Sequence, residues 1–182
     1  MKVTATLLPE VRLIDPDLHG DARGFFLETW HESRYAAAGL SARFVQDNLS
    51  RSVRGTLRGL HYQLRRPQGK LVQVVTGAVF DVAVDLRRSS PTFGRWVAEV
   101  LSEENRRQMW VPEGFAHGFL VLSQTAEVAY KCTEFYDAEE DRAVRWNDPE
   151  LGIAWPLPDG ASPILSAKDA AAPLLSAAET YP

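Results

Sequence analysis

The sequence predicts an all-β chain folded as a jelly-roll barrel with a few short helices, one domain over residues 1–182. Three observations carry that expectation. Short runs of alternating apolar residues recur along the chain, bounded by turn-forming residues. Before the C-terminal tail, only one stretch has a helical pattern. An apolar content of 45% over 182 residues builds one substantial core and leaves little room for a second domain. Evenly spaced short strands of this kind suit a sandwich or closed barrel, whose mouth or interior is the natural pocket.

The elements read as follows. VTATLLPEVRLI opens with a strand that ends near Pro9, and DPDLHGDARG is a turn-rich loop leading into the strand GFFLETW. HESRYAAAG has a polar start, an alanine-rich body and Gly39 where a C-terminal cap belongs, so it is the helix. ARFVQDNLS and GTLRGLHYQL are strands flanking the turn SRSVRG. In KLVQVVTGAVFDVAVDLR, Val72 and Val74 alternate, Gly77 breaks the run, and Phe80, Val82, Val84 and Leu86 share a face. That pattern predicts a hairpin-like pair of half-buried strands. SSPTFG is a turn, RWVAEVL a strand, SEENRR a turn and QMWVP a strand. GFAHGFLVLS and AEVAYKCTEFY read as the last strong strand pair, and the tail SAKDAAAPLLSAAETYP as partly helical, limited by Pro173. The sequence contains no internal repeat, low-complexity block or linker.

Net charge is −4, which gives no global basic field to recruit nucleic acid or an anionic membrane. An anionic ligand therefore needs a local cluster of Arg and Lys. The single cysteine, Cys132, excludes an intramolecular disulfide and a multi-cysteine zinc site, and its alternating neighbours make it a buried structural thiol. No stretch approaches the roughly 20 apolar residues of a membrane span. The N-terminus carries charges and Pro9 where a signal-peptide core would lie. A soluble cytoplasmic protein without nucleic-acid or membrane partners is expected.

The stretch LRGLHYQL poses the chemical question, because His61 is set in a strand-like run. A metal site of the barrel type wants two imidazoles two residues apart, with a carboxylate and a third His nearby. Gln63 stands where the second imidazole belongs, and His117 in PEGFAH has no matching carboxylate, so no metal is expected. Spacing leaves His61 open as a proton-transfer base or a satisfied core histidine. Gly55, Leu57, Gly59, His61 and Gln63 share one strand parity, with Gly59 clearing space for an approaching ligand. Arg58 has the other parity and reaches the same pocket only if the strand twists or bulges. Arg23, Arg58 and Lys70 read singly as solvated strand ends and together as cations for a diphosphate. Tyr130 and Tyr136 share a face if their strand is unbroken, as packing aromatics or as a proton donor and a stacking ring. The five tryptophans read as core or interface anchors.

DARGFFLE, QDNLSRS, LRGLHYQ, QGKLVQV, VFDVAVDLRRSSPTFGRW, LSEENRRQMWVPEGFAHGF, AYKCTEFY, WNDPELGIAW and LSAKDAAAPLL follow in order from residue 21 to 175. Together they resemble the dTDP-4-dehydrorhamnose 3,5-epimerase family over nearly the whole chain. The resemblance implies a cupin-type jelly roll, a homodimer and a cofactor-independent double epimerisation. The substrate would be dTDP-4-dehydro-6-deoxy-alpha-D-glucose and the product dTDP-4-dehydro-beta-L-rhamnose.

It places the general base on His61, its orienting partner on Asp169, the acid on Tyr130 and the thymine-stacking ring on Tyr136. Lys70 and His117 are candidates to stabilise the enolate oxygen. Further ligand contacts fall on Arg23, Phe26, Glu28, Gln46, Asp47, Asn48, Arg58 and Lys168. Asp141 stands where the family usually has a glutamate, and its shorter side chain has less reach toward that contact. Family members exchange N-terminal strands, so Arg23 and Glu28 are expected to serve the neighbouring subunit's site. The competing readings are a relative that epimerises C3 or C5 alone and a non-catalytic sugar-nucleotide binder. A binder has no use for His61, Tyr130 and Asp169 together.

Overall fold

The computed structural model describes residues 1–158 and 160–182. The chain begins with β1 (Lys2–Ala5), β2 (Arg12–Asp15), β3 (Leu18–Asp21) and β4 (Gly24–Leu27), followed by α1 (Glu32–Ala37). Then come β5 (Gln46–Val53), β6 (Leu57–Gln63), β7 (Lys70–Thr76), β8 (Ala78–Asp85), β9 (Trp96–Ser102) and β10 (Gln108–Val111). β11 (Phe115–Val121), β12 (Thr125–Cys132) and β13 (Asp141–Ala143) follow, before α2 (Ala167–Ala170) and a 3-10 turn (Leu175–Ala177). Two antiparallel sheets make a cupin-type jelly roll: β1-β2-β10-β7-β12-β5 faces β13-β6-β11-β8-β9, with β3 and β4 as a separate hairpin.

The expected fold class holds, and the strand partners differ from expectation. β7 and β8 do not form a hairpin, and neither do β11 and β12; each pair is split between the two sheets. Gly77 carries the chain across: its φ is +79°, and a Cβ there would lie 2.2 Å from the Thr125 carbonyl oxygen. The turn SRSVRG is shorter than expected, because β5 runs on through Val53 to pair with Thr125. The loop DPDLHGDARG contains β3, and a further strand, β2, follows Pro9. The helix is as expected, with Gly39 at φ +85° just beyond its end.

Val72, Val74, Met109 and Val128 of one sheet pack against Val79, Ala83, Leu101 and Phe119 of the other. The outer face of the smaller sheet is also covered. Val82, Val84 and Leu86 pack beneath Leu151, Trp155 and Leu175 of the C-terminal segment, while Trp30 and Trp110 join a third cluster around Tyr35 and Leu71.

At the end of β8 the buried Asp85 accepts hydrogen bonds from Arg87, Ser90 and Thr92, which close the following turn. Burial pushes its carboxyl up, but those donors outweigh burial and hold it at about 2. A depressed carboxyl stabilises the fold above its unfolded value and loses that contribution as pH falls through its folded value. Asp85→Asn is therefore expected to cost roughly 2 kcal/mol at pH 7. Denaturant melts of both proteins should show the gap narrowing between about pH 4 and pH 2; a constant gap would contradict the assignment.

Candidate active site

The site is built around an irregularity in β6. His61 pairs with His117 of β11, but Arg58 pairs with Phe119, so three steps along β6 match two along β11. The extra residue is a β-bulge, and it restores Arg58 to the face of His61. Phe119 belongs to the inter-sheet core, so that face points inward. Gly59 makes the bulge, with φ +111° and its missing Cβ only 2.6 Å from both Gly118 Cα and the His117 carbonyl. The expectation that Gly59 clears space for a ligand is thereby corrected: the backbone of β11 fills that space. Arg58 Nε donates to Ser52 Oγ at 3.0 Å, tying β6 to β5 across the barrel.

Beside this face lies a cleft of about 200 Å³ lined by Gln46, Asn48, His61, Gln63, Gln68, Lys70, Tyr130, Tyr136 and Asp141. A larger groove of about 820 Å³ runs along the edge strand β9 past Phe93, Trp96, Leu151 and Leu175. Its lining holds no histidine, tyrosine or lysine, so the smaller cleft carries the chemistry.

His61 Nε2 and Asp169 Oδ1 are 2.5 Å apart, joining residues 108 positions apart in the chain. Ser166 caps the short helix α2 and delivers Asp169. Its Oγ accepts from the Asp169 N–H and donates to the second carboxylate oxygen. Burial raises the Asp169 carboxyl, but His61, Ser166 and the Gly59 N–H together hold it below the usual value. With Nε2–H committed to Asp169, the lone pair of Nδ1 is the basic position of His61.

Lys70 is buried, and its ammonium donates to the His61 carbonyl at 3.4 Å. Burial lowers its proton affinity, against which Cys132, Asp141 and Asp81 act in that order. Burial pushes the Tyr130 phenol up, opposed by the Arg58 guanidinium, so Tyr130 keeps its proton at neutral pH. Tyr136 lies beyond the end of β12, so no shared strand face links it to Tyr130. Its N–H donates to Gln46 Oε1 at 2.8 Å, and its hydroxyl to Asp141 Oδ2 at 3.0 Å. Lys168 pairs with the same Asp141 oxygen. His117 Nε2 bonds the buried Asp81 Oδ1 at 2.8 Å.

Arg58, His117, Lys168 and Asp169 are not among the residues that line the cleft but stand next to it. His117 is paired with His61 across the strands, Asp169 is bonded to His61 and Lys168 to Asp141. Arg23, Phe26, Glu28 and Asp47 lie away from it. Arg23 is exposed and paired with Asp21, Glu28 is paired with Arg34, and Phe26 is exposed on the β3–β4 hairpin. Asp47 points the other way along β5 and pairs with Lys131. Gln63, Gln68, Ser166 and Asp81 were not anticipated as site residues. Of these, only Asp81 left a signal, as a lone carboxylate inside the apolar run VFDVAVD.

The family model described as dTDP-4-dehydrorhamnose 3,5-epimerase matches residues 5–177. A dTDP-4-dehydrorhamnose 3,5-epimerase of Pseudomonas aeruginosa is 56% identical over 183 residues, covering 100% of both chains. One from Methanothermobacter thermautotrophicus is 54% identical over 164 residues, covering 90% of this chain and 89% of its own. Among solved structures, dTDP-6-deoxy-D-glucose-3,5-epimerase of Legionella pneumophila, in complex with dTDP-4-keto-L-rhamnose, is 53% identical. It superposes with a TM-score of 0.93 over 97% of this chain and 93% of that one.

Proposed function

The chain belongs to the dTDP-4-dehydrorhamnose 3,5-epimerase family, and from that membership and the site geometry we propose that it epimerises dTDP-4-dehydro-6-deoxy-alpha-D-glucose at C3 and C5. The product is dTDP-4-dehydro-beta-L-rhamnose, on the way to dTDP-L-rhamnose. The observation that carries the chemistry is the 2.5 Å contact of His61 Nε2 with the buried Asp169, which leaves Nδ1 free beside a cleft that also presents Tyr130 and Lys70.

A C–H next to a ketone ionises only if the resulting enolate oxygen is stabilised. His61 Nδ1 takes the proton, and Asp169 favours the imidazolium that forms. Lys70 and His117 stabilise the oxygen. Tyr130, kept protonated by burial, returns a proton on the opposite face and inverts the centre. Arg58 and Lys168 hold the diphosphate, Tyr136 stacks on the thymine, and Gln46, Asn48 and Asp141 complete the cleft. These steps use only the chain's own acid–base groups.

The enzyme works as a homodimer in this proposal. The β3–β4 hairpin exposes Phe25 and Phe26 beside Arg23, and the edge strand β5 exposes Leu49 and Val53. Arg23, Phe26, Glu28 and Asp47 then act at the boundary between subunits, completing the partner's cleft. The cytoplasm is the proposed compartment, since a nucleotide diphosphate sugar does not cross membranes unaided. Among the described residues no helix is long and apolar enough to span one.

Incubation with the 4-keto sugar nucleotide in deuterium oxide, followed by NMR, tests the reading. Deuterium is expected at both C3 and C5. Exchange at one carbon alone would assign a single-centre epimerase, and tight binding without exchange would sink the enzymatic reading.

A further inference from the structure

Asp81 sits in the middle of β8, completely buried, opposite the core residue Phe119. Its Oδ1 accepts from His117 Nε2 at 2.8 Å, while Oδ2 has no hydrogen-bond partner among the described residues. A carboxylate oxygen withdrawn from water without a donor is costly. Neighbouring inward positions on β8, Val79 and Ala83, are apolar. Packing alone would favour a third apolar residue here, so the carboxylate answers to something other than packing.

What it touches is His117, the cross-strand neighbour of His61. A carboxylate only accepts, so Nε2 of His117 must carry its hydrogen toward Asp81. Nδ1 has no partner among the described residues and remains for a ligand. For Nδ1 to donate as well, the ring must be an imidazolium, whose charge the buried carboxylate neutralises. Asp81 also favours the charged form of the buried Lys70.

We propose that Asp81 is a positioning residue for enolate formation, holding His117 as a charged donor toward the ketone oxygen of the substrate. This rests on the epimerase reading above. As the C–H bond breaks, its electron pair forms the C=C bond and the carbonyl π pair moves onto oxygen. The proton goes to His61, whereas His117 and Lys70 keep theirs and donate hydrogen bonds to that oxygen.

Asp81→Asn keeps the shape and removes the charge. It is expected to lower kcat for exchange at C3 and C5 by about 10²-fold, the scale of losing one oxyanion donor. KM and the affinity for dTDP should stay within about threefold. If Asp81 acts through His117, the double variant with His117→Gln loses no more than the worse single variant. An Asp81→Asn kcat within twofold of wild type, or fully additive losses, would overturn the inference. A readout that needs no Asp81 variant is ¹⁵N NMR of the histidine rings in the native enzyme with dTDP bound. His117, assigned by its absence in His117→Gln, should show both ring nitrogens protonated at working pH, and a neutral ring would overturn the proposal. Should wild type itself fail to exchange deuterium, the epimerase reading falls. If wild type exchanges and Asp81→Asn matches it, only the role of Asp81 falls.

Discussion

Replacing His61 with asparagine is expected to lower kcat by about 10³-fold, within the span of a positioned general base, while dTDP affinity changes by less than about threefold. Binding should persist because the nucleotide contacts assigned to Arg58, Tyr136 and Lys168 lie on other side chains. Asparagine is the informative choice because Asp169 is 2% exposed. An alanine at 61 removes the donor to a buried carboxylate and invites a penalty of about 1–3 kcal/mol, which confuses folding with catalysis. Asp169 keeps its Ser166 partner in either case. Single-turnover deuterium exchange, dTDP calorimetry and a thermal melt on one preparation separate the outcomes. Exchange within tenfold of wild type would remove His61 as the base. A collapsed melting temperature without loss of exchange per folded molecule would return it to the core.

The strand pattern was legible because period-2 alternation depends only on which face is buried, and Val72, Val74, Val82 and Val84 declare theirs. Strand partnership was not. In a jelly roll, neighbours in sequence pass to opposite sheets, so the run across Gly77 looks like a hairpin although β7 pairs with β10 and β12. The hydrogen-bonding partner of a strand leaves no local mark. The site divides in the same way. His61 was visible as an odd polar residue in a strand, but Asp169 lies 108 positions away, and only the resemblance linked them before the structure. Tyr130 and Tyr136 were paired by parity, yet they line one cleft because the chain bends after Cys132. Asp81 stands out in the sequence as a lone acid in an apolar strand, but spacing names no partner for it. The hairpin residues Arg23, Phe26 and Glu28 were named by resemblance alone, and nothing within this chain's own cleft would have suggested them.

Arg58 meets the condition that parity set for it, a bulge in the strand, and that bulge leads to the largest expected effect on stability. A strict two-residue period sets Arg58 and His61 on opposite faces, and the bulge at Gly59 reverses that. Gly59→Ala is expected to destabilise the protein by about 4 kcal/mol. Backbone strain at positive φ contributes about 1–3 kcal/mol, and overpacking adds about 1–3 kcal/mol. The new methyl would sit 2.6 Å from Gly118 Cα and from the His117 carbonyl, both backbone atoms of the adjoining strand. Gly118→Ala separates the two contributions. Its φ is not in the left-handed region, but its Cβ would meet the Arg58 carbonyl at 2.7 Å, so a loss of about 2 kcal/mol is expected from crowding alone. Both variants should also lose kcat beyond their loss of folded protein. β6 can relieve the clash by moving away from β11 or by losing the bulge, and without the bulge Arg58 and His61 return to opposite faces. Denaturant midpoints and kcat at matched folded fraction provide the measurement. A Gly59→Ala protein as stable and active as wild type would show that the bulge does not hold Arg58 beside His61, and the joint assignment of the two residues to one site would then fail.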